Sequence, residues 1–353
     1  MASTRAHDPI SFAVTLAPAQ AGRPVRIEQF LDGSWVVLGS GGAVDATGAT
    51  TLTAAALGYP TWLRVTAPAW EGHGALSVAA VRTFAERTPT AIAHRAGAGV
   101  APEQTVGAVE TAVAAGAESM EIDVQLTSDG EPIIVHDADF KRTTDVEEVF
   151  PADADKAIGE FTLAQVKQLD AGSWFGPQWA GEEIPTLDEA IAALGPDTHL
   201  VLEVKSPEVP GNTPDPGSGK PGIADVLATE LASGPLGDLA ADGRLTVSSF
   251  GLTWLEEFAT THPDVPVGAL TVFAPTVVQL DQWSGWAEEV HGQVGLMTPA
   301  AVAATHARGM TVSVWTANDP AQLRRALVMD ADGVITDYTA RFADVLNPPA
   351  PPA

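Results

Sequence analysis

The sequence predicts a parallel (β/α)8 barrel, the TIM fold, preceded by a small all-β sandwich. Two observations carry that expectation. From about Thr90 to Leu346, short apolar runs alternate with helix-like segments, the pattern of a parallel sheet whose crossovers are helices. Eight such runs can be counted, as a closed barrel requires: residues 91–94, 119–126, 132–136, 200–205, 245–250, 267–270, 311–316 and 333–336. Before them, β-leaning runs alternate with Gly, Asp and Pro turns and no helical period is visible. The expected boundaries are 1–86 for the sandwich, 87–346 for the barrel and 347–353 for a proline-rich tail. A doubly wound open sheet stays open as the rival, because strand counting alone does not separate the two.

Taken in order, "SFAVTLAP", "SWVVLGS", "TTLTAAAL" and "TWLRVTAP" supply the first strands. "RIEQFLDGSWVVLGS" reads as a hairpin turning at Asp32-Gly33, since glycine tolerates positive φ. This segment resembles the immunoglobulin-like modules of bacterial surface proteins. It holds His7 and His73 but no polar cluster, so a spacer or binding role is expected of it. Further on, Thr162, Thr186 and Thr253 each precede Gln or Glu by three residues, the spacing of a capping box that satisfies orphan amides at a helix start. "SPEVPGNTPDPGSGKPG" after Lys205 reads as a surface connector placed where it could cover a site.

Composition narrows the partners. A formal net charge of -27 argues against nucleic acid and anionic lipid, and in favour of cations. The chain has no cysteine, so any metal must be held by oxygen or imidazole. No apolar run is long enough to span a bilayer, and "MASTRAHDPI" lacks the layout of a secretory signal. The sandwich and the proline-rich tail point to an extracellular or cell-surface protein.

The chemistry sits at strand ends. In "SMEIDVQL" side chains alternate, so Met120, Ile122 and Val124 face one way and Glu121 and Asp123 the other. In a barrel the outward face takes the apolar set, which turns both acids inward. "LVLEVK" repeats the arrangement and adds Glu203 and Lys205 to the interior. Three converging carboxylates describe a hard-cation site for one divalent cation, Ca²⁺ or Mg²⁺. Internal pairing of the acids with Arg95 and Lys205 is the bland alternative, and imidazole with carboxylate also suits Zn²⁺.

His94 and His136 each end a predicted strand, and two imidazoles at one barrel mouth suggest a proton donor and a proton acceptor. Arg95 and Lys205 add the positive charge that a phosphate needs. Together these groups describe metal-assisted phosphoester cleavage.

Here the sequence resembles the glycerophosphodiester phosphodiesterase family. The resemblance covers about Thr90 to Leu346 through "AHRAGAGVAPEQT", "GAESMEIDVQLTSDGEPIIVHD", "RTTD", "LDAGSWFGPQWAGEEIPTLDEAI", "LEVK", "VSSF", "THARGMTVSVWTAND" and "DGVITD". It implies a metal held by Glu121, Asp123 and Glu203, with His94 and His136 as the acid and base pair. It also implies Arg95 and Lys205 on the phosphate, Glu103 beside the metal or the first histidine, and Trp315 along the alcohol side. Two positions depart from the family pattern: Ala96 where glycine is usual, and Gln104 where asparagine is usual. Both put substrate preference in doubt and leave the reacting groups intact.

Trp174, Phe175 and Trp179 crowd one loop, where they either wall the leaving alcohol or cap the barrel as a satellite core. Asp170 and Glu182 or Glu183 read as loop anchors, and His262, His291 and His306 as structural or exposed. The expected activity is hydrolysis of a small-molecule glycerophosphodiester to glycerol phosphate and an alcohol. A lipid phosphodiesterase that releases a cyclic phosphate and a non-catalytic binder of cell-wall glycerol phosphate are the alternatives.

Overall fold

The computed structural model describes residues 3–5, 8–78, 80–85, 87–205, 211–215, 217 and 219–352. His7 and part of the connector after Lys205 (206–210, 216 and 218) lie outside the described residues. The chain forms two compact units: Met1–Thr88 with Leu323–Asp330 and Ala340–Ala353, and Pro89–Gln322 with Ala331–Thr339.

The first unit begins all-β. Strands Ile10–Thr15 and Ala49–Ala54 pair with each other, and the other strands join one six-stranded sheet. Ile10, Val14, Val25, Ile27, Leu52, Leu63 and Val65, drawn from both sheets, share one buried core. The hairpin expected at Asp32-Gly33 forms: Leu31 pairs with Ser34, and φ is 49° at Asp32 and 83° at Gly33. Near the chain end, the Pro348 carbonyl accepts a hydrogen bond from Trp62 Nε1 at 3.1 Å.

The second unit is an eight-stranded parallel barrel. Its strands are β1 (Thr90–Ala93), β2 (Ser119–Leu126), β3 (His199–Val204), β4 (Leu245–Ser249), β5 (Val267–Thr271), β6 (Glu289–Gln293), β7 (Thr311–Trp315) and β8 (Gly333–Thr336). Each pairs in parallel with the next, and β8 and β2 both pair with β1, which closes the ring. Met120, Ile122, Val124, Leu200, Leu202 and Val204 face outward into the main core, as the alternation required, while Ile92, Val201 and Ile335 cluster in the interior.

Two strand expectations need correction. Pro132–Ile134 is antiparallel, laid against β2 with Val124 opposite Ile134, and is not a barrel strand. The missing strand is β6, "EVHGQ". It lacks an apolar run because alternate residues Glu289, His291 and Gln293 carry polar groups, so no hydrophobic signal marks it. Glu203 therefore lies on the third barrel strand. Thr253 caps nothing either, since its helix starts at Leu252 with Gly251 as N-cap. At Thr186 the box forms fully, and at Thr162 the amide donates to Gln165 Oε1 at 3.0 Å.

Residues 127–198, between β2 and β3, carry their own apolar core around Ile133, Phe140, Phe161 and Val166. Phe140 meets Phe161 edge to face at 5.2 Å between ring centroids. Among the described residues, no helix is long and apolar enough to cross a membrane.

Candidate active site

The strand register brings the acids together. On β2 and β3, Asp123 pairs with Glu203 and Glu121 with Val201, so three inward carboxylates occupy neighbouring positions at the C-terminal end of the barrel. One oxygen from each of Glu121, Asp123 and Glu203 lies within 4.8 Å of the others. Burial, then Asp123 and Glu203, push the Glu121 carboxyl well above its usual range. Burial and Asp123 push Glu203 up to about 7. Burial also acts against Asp123, yet Lys205, His136 and Arg95 outweigh it and hold Asp123 low. Lys205 reaches Asp123 Oδ1 at 2.5 Å and Glu203 Oε1 at 2.7 Å, so one ammonium faces two of three crowded acids. Three crowded carboxylates facing Lys205 and the more distant Arg95 suit a hard divalent cation, which would relieve the repulsion that raises Glu121 and Glu203.

Each histidine is held by an aspartate. His94 follows β1, and its Nδ1 lies 2.6 Å from Asp337 Oδ1, just past β8. Asn318 donates to the other oxygen of Asp337 at 2.5 Å. Burial raises Asp337, but the bond and charge of His94 and the Asn318 amide bring it below its usual value. His136 Nδ1 lies 2.7 Å from Asp137 Oδ1, and Asp137 Oδ2 accepts from Arg142 Nε at 2.5 Å. The Gln125 amide donates to the carbonyls of Val135, His136 and Asp137 at 3.0, 3.3 and 2.7 Å, which fixes that turn beside β2. With Nδ1 held in this way, Nε2 is the nitrogen of each ring able to exchange a proton.

Arg95 sits at φ 49°, and its backbone N–H donates to Glu121 Oε2 at 2.9 Å. Its Nη1 donates to Glu103 at 2.9 Å, while its buried Nε makes no hydrogen bond and stands 4.0 Å from Asp123. Glu103 lies against two arginines: besides Arg95, Arg142 grips it with both terminal nitrogens, at 2.7 and 2.9 Å. Gln104, at φ 64°, folds back on β2, where its amide donates to Asp123 and its oxygen accepts from the Asp123 N–H at 3.3 Å. Ala96 adopts φ 63°, a conformation easier for the glycine expected there.

His94, Arg95, Glu121, His136, Glu203 and Lys205 line one cleft of about 480 Å³ of empty space. Trp315, Phe250 and Leu270 line the same cleft, with Trp315 and Phe250 edge to face at 5.7 Å. His291 also lines the cleft. It is 1 % exposed, its Nε2 lies 2.9 Å from Glu289, and its ring fills the space left by the absent side chain of Gly268. Its strand, "EVHGQ", is not among the eight runs that the sequence marks. His262 stacks on Phe258 and His306 pairs with Asp332, as structural histidines do.

Asp337, Asp137, Arg142 and Gln125 went unassigned in the sequence. The aspartates were visible only as the last letters of "DGVITD" and "VHD". Trp179 packs against the main core and Trp174 is 40 % exposed; neither lines the cleft. Asp170 anchors its loop by accepting from the amides of Gly172, Ser173 and Gly181.

Comparison with known proteins agrees with this cleft. The Glycerophosphoryl diester phosphodiesterase family matches residues 94–341. A glycerophosphodiester phosphodiesterase of Caldanaerobacter subterraneus is 31 % identical over 252 residues, 70 % of this chain and 93 % of that protein. One from Bacillus subtilis is 28 % identical over 72 % of this chain and 85 % of its own length. Among solved structures, an Oleispira antarctica phosphodiesterase in complex with the product sn-glycerol-3-phosphate superposes with a TM-score of 0.59 at 28 % identity, over 73 % of this chain and 97 % of that one. With the matched region spanning the whole cleft, this chain belongs to the glycerophosphoryl diester phosphodiesterase family and is a phosphoric diester hydrolase.

Proposed function

We propose that the enzyme hydrolyses glycerophosphodiesters to glycerol phosphate and an alcohol with one divalent cation, Ca²⁺ or Mg²⁺, held by Glu121, Asp123 and Glu203. The bound cation would polarise the phosphoryl oxygens. Arg95 and Lys205 grip the phosphate, the first with a guanidinium donor that no protein group uses and the second as a point charge. Water adds to phosphorus as the bond to the alcohol oxygen breaks. One of His94 and His136 takes the proton from that water, and the other gives a proton to the departing oxygen.

Asp337 and Asp137 keep both rings aimed, and Glu103 holds Arg95 and Arg142 in place. Trp315 and Phe250 make the wall against which the alcohol rests.

The observation that carries this reading is the meeting of three carboxylates with two aspartate-held histidines at one barrel mouth. Turnover of glycerophosphocholine with calcium or magnesium, before and after chelation, tests it. Phosphorus NMR of the product distinguishes glycerol phosphate from a cyclic phosphate. Activity that survives chelation would overturn the metal assignment.

The same proposal extends to location. The strand-and-turn pattern before Thr88 and the proline-rich end support an exported or cell-surface enzyme whose first unit is an immunoglobulin-like spacer or cell-wall binding module. Fractionation of cells expressing the full-length protein tests that.

A further inference from the structure

Among the described residues of the barrel unit, the large hydrophobic side chains that stand exposed all lie on the segments following barrel strands, at the cleft end of the barrel. Phe250 follows β4, and Val272 and Phe273 follow β5. Val277 and Val278 open the next helix, Val277–Trp283. Leu296 follows β6, Val100 follows β1, and Trp174 lies between β2 and β3. The crests are prominent: Phe273 is 71 % exposed and Val278 66 %. Their backbone is braced, since Thr271 Oγ1 donates to the Phe273 carbonyl at 2.8 Å and Thr276 caps the helix behind.

The same segments avoid charge. "GAGVAP", "GSWFGPQWAG", "FGLTW", "VFAPTVVQL" and "VGLMTPA" contain no Asp, Glu, Lys or Arg, in a chain with 18 basic and 45 acidic residues. Such a collar loses contact with water at little desolvation cost, because no ionised group goes with it.

We propose that this collar seats the barrel mouth on a lipid surface, so that the enzyme takes glycerophosphodiesters which still carry an acyl chain. The inference rests on the phosphodiester hydrolysis proposed above, and the cleft indicates what covers the collar. Phe250 belongs to both the collar and the cleft wall, so one exposed apolar side chain links the alcohol side to the rim. The other collar residues do not line the cleft and come from several separate loops and the first turn of one helix, so they offer a spread of apolar contacts and not one enclosed groove. The net charge of -27 gives no attraction to anionic headgroups, so attachment comes from apolar burial and needs only a neutral lipid.

The test uses the full chain and vesicles of phosphatidylcholine alone. The wild-type protein sediments with them, and the double variant Phe273→Asp, Val278→Asp partitions at least tenfold less. Turnover of water-soluble glycerophosphocholine changes less than twofold in that variant, which also shows that it folds. Turnover of lysophosphatidylcholine carried in the vesicles falls at least tenfold. Wild-type protein that hydrolyses the soluble diester but stays in the supernatant would overturn the proposal, as would equal vesicle binding by the variant. Light scattering that shows a wild-type dimer split by the two substitutions would overturn it too, by making the collar an interface between copies. Failure of the wild type on the soluble diester sinks the hydrolysis reading instead, and sedimentation still decides the collar.

Discussion

Asp123 and Glu203 face each other across the parallel β2–β3 ladder, and the Lys205 ammonium contacts both. The pair is thus built by strand register, and a third acid, Glu121, joins from two residues back along β2. Replacing one acid leaves the lysine and removes a proposed cation ligand. Glu203→Gln is expected to abolish the rise in melting temperature caused by calcium or magnesium and to lower kcat about 100-fold or more. Differential scanning fluorimetry and turnover assays check both outcomes. An unchanged cation response in the variant removes Glu203 from the site.

The pH dependence of that cation response has a defined sign. Glu203, at about 7, and Glu121, raised above 4.5, hold protons in the cation-free fold at pH values where the unfolded chain has released them. Stability of the cation-free protein therefore falls as pH rises from 4.5 to about 7. Cation binding needs the ionised carboxylates, so it expels those protons and strengthens over the same interval. The gain in melting temperature at saturating cation is expected to be larger at pH 8 than at pH 6. A gain that shrinks with rising pH contradicts the assignment.

On the proposed mechanism, Asp337 acts through His94. Its carboxylate accepts from Nδ1, which sets the tautomer, and an amide in its place can present a donor there instead. Asp337→Asn is expected to lower kcat about 10- to 100-fold and to displace the pH profile of kcat, with KM changed less than about twofold. Steady-state kinetics across pH measures this, and a pure KM effect is the result against it.

Gly268 makes room for a ring in the cleft. A methyl group there would come within 2.6 Å of His291 Cε1 and Nε2, and the imidazole bonded to Glu289 would have to move. Gly268→Ala is expected to cost about 1–3 kcal/mol of stability by overpacking. Denaturant unfolding measures it, and Gly268→Ala combined with His291→Ala should recover part of the loss.

What the sequence made legible follows from alternation. Glu121, Asp123 and Glu203 were readable because each sits between apolar neighbours that must face the helices. β6 was illegible because alternate positions along it carry Glu, His and Gln, and Pro132–Ile134 misled because an antiparallel flap has the same apolar text as a buried parallel strand. The partners of the histidines depend on closure of the ring: 243 positions separate His94 from Asp337, and nothing in local pattern joins them before β8 pairs with β1. Glu103 was readable, but its partner Arg142 was not, since that residue arrives from residues 127–198.

That insertion has its own packed interior, and His136 rides on it next to Val135, a member of that interior, whereas His94 rides on the barrel. The spacing between the two imidazoles is therefore geared to how two separately packed bodies rest on each other. Trimming a ring outside the cleft, Phe161 for instance, would tilt one body and shift His136 against His94 while every cleft residue kept its identity. Selection has in those distant aromatics a dial for catalytic rate that leaves the chemistry untouched.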